Sequence, residues 1–160
     1  MSTSPTIRAA TEQDAAAIAA LLTQLNRVEN NPSTVEAGPL ADALKRAEPL
    51  QALVACDAET VVAVVLYYRG YDVLTGAYGY HLADFVVDEA YRHQGIGKRL
   101  FATLATQNLD AGGEWISLTV LRENRDAQAF YAALGMAHVP VDFFAIGKRS
   151  LQSITALLQK

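Results

Sequence analysis

The decapeptide YRHQGIGKRL, Tyr91 to Leu100, sets Arg92 and two glycines, Gly95 and Gly97, ahead of a stretch that reads as a helix. A helix start offers unpaired N–H groups and the positive end of a dipole, so phosphate is its natural guest. Glycine at 95 and 97 would clear side chains from the approach, and Arg92 adds charge. Two known phosphate loops do not fit. The dinucleotide fingerprint needs a third glycine where this chain has Leu100. The nucleoside-triphosphate loop needs Ser or Thr after its lysine, and Lys98 is followed by Arg99. Taken alone, the two glycines serve equally well as a bare strand-to-helix turn. Asp84 stands inside the β-rich run YHLADFVV. A carboxylate buried there needs a partner, so it either faces a ligand or holds a neighbouring loop. His81, His93 and His138 lack metal-ligand spacing and read as surface or strand residues.

These residues need elements to position them. PTIRAA reads as a first strand, and Thr11 with Asp14 opens a helix that turns Ile18, Leu21, Leu22 and Leu25 to one side. A polar loop from Asn26 to Pro39 leads to a short helix around Leu40 to Glu48. LQALVAC and TVVAVVLYY, joined by DAE, read as a hairpin, and GYDVLTGAYG turns the chain into the strand YHLADFVV. The helix after the glycine loop points Leu100, Phe101, Leu104 and Ala105 inward and closes at Gly112-Gly113. EWISLTVL is a strand, RDAQAFYAALG a helix, VPVDFFAIG one or two strands, and RSLQSITALLQK an amphipathic helix. No linker interrupts this order, so residues 1–160 are expected to form a single α/β domain.

Composition narrows the function. At 51% apolar and 19% charged residues the chain is globular. Its net charge of −4 argues against a general nucleic-acid binder and suits cationic partners. The lone Cys56 permits no internal disulfide, sits in an apolar run as a buried thiol, and points to a reducing compartment. With neither a signal pattern nor a membrane span in the sequence, a cytoplasmic protein is expected.

Two motifs give the loop a context. ADFVVDEAYRHQGIGKRLFATL, with R-x-x-G-x-G at Arg92, Gly95 and Gly97, resembles the signature of the GNAT superfamily of N-acetyltransferases. NRDAQAFYAALGM resembles its second element at Asn124, Ala127, Phe130, Tyr131 and Gly135. The resemblance runs from about Ile7 to Leu151. Through Tyr67, Tyr68, Tyr71, Asp72 and Asp84, the chain is also similar to the spermidine/spermine and related diamine N-acetyltransferases.

The resemblance implies a mixed sheet of about six to seven strands flanked by helices, with central strands that splay to bind acetyl-CoA. Phe85, Val86 and Val87 would offer strand groups to the pantetheine arm, and one strand N–H would polarise the thioester carbonyl. The pyrophosphate would lie on the amides of Gln94, Gly95, Ile96, Gly97 and Lys98, with Arg92 and His93 also at the cofactor. Asn124, Ala127, Phe130 and Tyr131 would also contact the cofactor, although Asn124 serves equally well as a helix N-cap. Tyr131 would protonate the departing thiolate; the plainer alternative is a core aromatic. Asp84 would relay the amine's proton or anchor a second ammonium, with Glu29 and Asp72 near the amine. The polyamine enzymes place a glutamate beside the aspartate where this chain has Ala83, which leaves the base unassigned. No metal is implied. The expected activity is acetyl transfer to a small primary amine, such as a polyamine, diamine or thialysine-like amino acid, by a homodimer. The competing readings are an acetyltransferase for an aminoglycoside or protein N-terminus, and a non-catalytic acyl-CoA-binding module.

Overall fold

Alternating Val, Leu and Ala runs pair into a five-stranded sheet of order β1-β2-β3-β4-β5 in the computed structural model, which describes residues 4–47 and 49–155. The strands are β1 (Thr6–Ala9), β2 (Gln51–Asp57), β3 (Thr60–Asp72), β4 (Ala77–Val87) and β5 (Trp115–Leu118). The first three pairings are antiparallel and β4–β5 is parallel. The helices are α1 (Ala15–Val28), α2 (Ala37–Arg46), α3 (Ile96–Asp110), α4 (Arg125–Ala133) and α5 (Lys148–Thr155). The chain forms two compact units, one through Arg125 and one from Asp126 onward.

In the first unit the sheet is covered on both faces. Ile18, Leu21 and Leu22 of α1 and Leu40 and Leu44 of α2 pack with Val54, Val64, Leu66 and Val86. On the other face Ile96, Leu100 and Leu104 of α3 pack with Val65, Tyr67, Tyr80 and Leu82. Each such side chain contributes roughly 1.5–3 kcal/mol when fully buried. Asp14 anchors the first loop: its carboxylate accepts both Arg8 guanidinium N–H groups at 2.8 Å and the Thr11 amide at 2.8 Å. That bidentate pair holds the Asp14 carboxyl below its usual range.

β4 changes sides partway along. Tyr67 pairs with Leu82 and Leu66 with Asp84, so Ala83 is an extra residue, a β-bulge. Before it, the even-numbered Tyr80 and Leu82 face α3; after it, the even-numbered Val86 faces α1. Asp84 therefore shares a face with Leu66 and Val86, the face that α1 covers.

Several sequence expectations shift. The described residues contain five strands, not six to seven. The run VPVDFFAIG carries no strand, because alternation supplies only propensity and a ladder needs a partner; Pro140 moreover has no N–H to give. β5 ends at Leu118, short of the expected Leu121. The β3–β4 turn is tighter than GYDVLTGAYG, since pairing continues to Asp72 and Ala77. The second helix starts at Ala37, three residues before Leu40, and its expected end at Glu48 lies outside the described residues, as does the expected helix beyond Thr155.

Candidate active site

The glycine loop grows out of the end of β4. Asp88 caps a single turn by accepting the Ala90 amide at 2.9 Å. The Arg92 Nε donates to the Val87 carbonyl at 3.1 Å, and Gln94 donates to the Ala90 carbonyl at 3.1 Å. These contacts tie the loop to the strand that precedes it. His93 and Gly95 both take left-handed backbone, at φ 61° and 78°. The space where a Gly95 β-carbon would project is open for 4 Å. The first helical bond runs from the Arg99 amide to the Gly95 carbonyl at 3.1 Å. No described residue accepts from the amides of Gln94 to Lys98. The Ile96 side chain is core, so this residue offers only its amide. An open cradle of orphan amides fits a pyrophosphate.

The second feature is a fork in the sheet. β4 and β5 pair from Gly79–Trp115 to Leu82–Leu118 and then separate, while β4 continues to Val87 against β3. Past Leu82 no described strand covers the other edge of β4, so an extended chain such as pantetheine could lie along it. Fork and cradle belong to one strand and the helix it leads into, an arrangement that suits acetyl-CoA.

The third feature is acidic. Asp84 is solvent-exposed, and makes no hydrogen bond or ion pair with any described residue. The neighbouring-loop tether considered from the sequence is thus not made. Surrounding protein desolvates the carboxyl and pushes it up from the usual range, and the Glu29 carboxylate adds to the rise. Glu29 closes α1, its amide donating to the Leu25 carbonyl at 3.0 Å. Its carboxylate accepts the Asn124 side-chain amide at 3.1 Å, across 95 residues of sequence. The structure thus brings Glu29, Asp84 and Asn124 together, and places Asn124 on an acid that the sequence assigned to the amine site.

Asp72 does not join them. Its carboxylate accepts the Leu74 amide at 2.9 Å and the Thr75 hydroxyl at 2.8 Å in the β3–β4 turn, which lower its pKa. It lies six positions along β3 from Leu66, the rung partner of Asp84, about 20 Å of strand. Tyr67 is core: burial pushes its phenol up to about 12, and Gln107 donates to its oxygen at 2.6 Å. The side chains of Phe85 and Val87 pack toward α3 and that of Val86 toward α1, which leaves only their backbone for a ligand. Ala127, Phe130 and Tyr131 belong to α4 in the second unit, where the Phe130 and Tyr131 rings meet edge to face at 5.4 Å.

One pair was missed altogether. His81 Nδ1 lies 2.9 Å from the Ser117 hydroxyl on the β4–β5 ladder, and its ring leans on Tyr68 at 5.1 Å. Nothing in the spacing of the sequence signals it, because the bulge hides which β4 residues share the Asp84 face. Among the described residues, no group of three His, Cys, Asp or Glu could hold a metal ion, and no helix is long and apolar enough to cross a membrane.

This architecture defines a class: the chain belongs to the acetyltransferase (GNAT) family, whose model matches residues 16–136. Over 75 residues it is 39% identical to a thialysine N-epsilon-acetyltransferase of Bos taurus, a match covering 47% of this chain and 44% of that protein. The chain thus matches less than half the length of that curated relative. Among solved structures, a ribosomal-protein-alanine N-acetyltransferase from Brucella melitensis superposes with a TM-score of 0.73 at 21% identity, covering 89% of this chain and 98% of that one. An aminoglycoside acetyltransferase from an uncultured soil metagenomic sample gives 0.75 at 20% identity, over 90% and 97%. At such identities these structures speak for the fold alone.

Proposed function

We propose that the chain is an acetyl-CoA-dependent N-acetyltransferase whose acceptor is a small diamine, polyamine or thialysine-like amino acid. The observation that carries this is the Asp84–Glu29 pair beside the fork: two acids, one of them without a protein counter-charge, call for a cation. In this reading Asp84 anchors the distal ammonium and Glu29, held by Asn124, supports it. The amides of Gln94 to Lys98 take the pyrophosphate, with Arg92 fixing the loop. Tyr131 protonates the departing thiolate, a role that rests on the family resemblance, and Ala127 and Phe130 line the cofactor beside it. The whole chain serves as one transferase domain in the cytoplasm. The exposed Val139, Val141, Phe143 and Phe144 support a homodimer, which sedimentation at micromolar concentration tests.

The deciding experiment is thiol release from acetyl-CoA with spermidine, 1,3-diaminopropane, thialysine, an aminoglycoside and an alanine-terminated peptide. Turnover with the first three supports the reading. Preference for either of the last two replaces the acceptor, and binding of acetyl-CoA without transfer to any of them leaves a binding module.

A further inference from the structure

By the resemblance, the glutamate that the polyamine enzymes set beside the aspartate falls at Ala83 here, and the structure offers another group for the work of a base. Tyr80 and Leu82 point to α3, so His81 between them points to the α1 face. The bulge at Ala83 then returns Asp84 to that same face. His81 and Asp84 are three residues apart on one strand, about 10 Å at most. The Leu82–Leu118 rung, next after His81–Ser117, is the last before the fork opens. On this face Tyr68 lies against the ring and Ser117 holds Nδ1; the acids are Asp84, further along β4, and Glu29, which acts on Asp84, and burial is the one cause that shifts the His81 ring. No described residue bonds to Nε2.

We propose that His81 is the catalytic base of the transfer, with Nδ1–H donated to the Ser117 hydroxyl so that Nε2 keeps its lone pair toward the amine. The inference rests on the acetyltransferase reading above. The amine loses one proton to solvent to reach its neutral form. As its nitrogen bonds to the thioester carbonyl carbon and the C–S bond breaks, His81 Nε2 takes the nitrogen's second proton. Tyr131 gives a proton to the thiolate, and the imidazolium's proton replaces it through solvent, so one proton is released per turnover. Partial burial lowers the imidazole pKa from its ordinary 6.5, which keeps the ring neutral at pH 7. Aspartate at 84 is then left to bind charge and need not carry the proton.

Two measurements test this. The first is kcat against pH with spermidine, 1,3-diaminopropane and thialysine. His81→Gln should lower kcat by about 10²-fold or more, abolish an acidic limb centred below 6.5, and leave acetyl-CoA affinity unchanged. The second is a nitrogen-detected titration of the native chain, with the His81 signal identified by its loss in the variant. It should show the Nδ1–H tautomer, and Ser117→Ala should weaken that preference. A native enzyme that transfers acetyl while His81→Gln keeps its rate and acidic limb overturns this inference alone. The Nε2–H tautomer overturns it too, even if the variant fails to fold and Ser117→Ala alone identifies the signal. Failure of the native chain to acetylate any of the three amines overturns the acceptor reading and this inference together.

Discussion

Gly79 and Trp115 form the rung that starts the β4–β5 ladder, and replacing Gly79 with alanine tests how tightly that ladder sets the fork. A β-carbon at 79 would fall against the Trp115 carbonyl oxygen and indole Cδ2, and 2.6 Å from Cε2. Ordinary carbon contacts need about 3.5 Å, so β5 would have to retreat by about 1 Å at this rung. The indole cannot swing aside freely, because its Nε1 donates to the Ala77 carbonyl at 3.1 Å and Asn108 donates to the Trp115 carbonyl at 3.2 Å. Overpacking costs about 1–3 kcal/mol, and an obstacle made of backbone and a fixed ring puts Gly79→Ala near the upper end. For a chain of this length, about 3 kcal/mol lowers Tm by roughly 6–12 °C. Gly70→Ala is the matched control. It meets only the ring edge, Cη2 at 2.9 Å, and should cost about 1 kcal/mol. Urea unfolding followed by circular dichroism measures both, and fluorescence of Trp115, the chain's one tryptophan, reports the rung itself. A Gly79→Ala stability within about 0.5 kcal/mol of native, or below the Gly70→Ala cost, would refute the argument that this contact fixes the strand.

Three further outcomes are expected. Asp14→Asn should cost about 2 kcal/mol, since it breaks charged hydrogen bonds in which Arg8 is half exposed. Because pairing lowers the Asp14 pKa, its contribution is complete above 3.8 and is lost as pH falls through the lowered value, so the native-to-variant gap in urea unfolding should shrink in acid. Gly97→Val should raise the dissociation constant for acetyl-CoA by at least about 10-fold, the equivalent of one lost charged hydrogen bond; calorimetry finding no change leaves only the turn. Tyr131→Phe should reduce turnover by about 10²–10⁴-fold with little change in acetyl-CoA affinity or melting temperature, whereas an active but destabilised variant would identify a structural phenol.

What could be read ahead of the structure was what lies close in sequence. The glycine loop announced itself because two glycines, an arginine and a helix start fall within ten residues. Asp84 stood out as an acid in an apolar run, although its freedom from any tether did not. The link from Asn124 to Glu29 spans 95 residues, and no local pattern carries it. Asp72 is placed near the amine by the resemblance alone, and residue type cannot tell a carboxylate engaged in its own turn from one that binds a ligand. His81 reads as a surface or strand residue because the histidines lack metal-ligand spacing; strict alternation would set it opposite Asp84, and only the paired register reveals the extra residue between them. The run from Val139 to Ile146 shows the converse error, a strand-like pattern without a strand to join.

That extra residue has a consequence for anyone who would retune the acceptor. Because Ala83 shifts the phase of the strand, the side chains that look out beside Asp84 are Tyr68 and His81, an even number on one strand and an odd number on the next. A mutagenesis library laid out by simple every-second-residue logic along β4 would spend half its diversity inside the α3-side core. Excising Ala83 would go further: a single-codon deletion would rotate either the Leu82 segment or the Asp84 segment by half a turn, exchanging carboxylate for hydrocarbon on both faces at once. Shape and charge in this cleft are thus coupled through one small residue, and changes of length there are far more hazardous than changes of type.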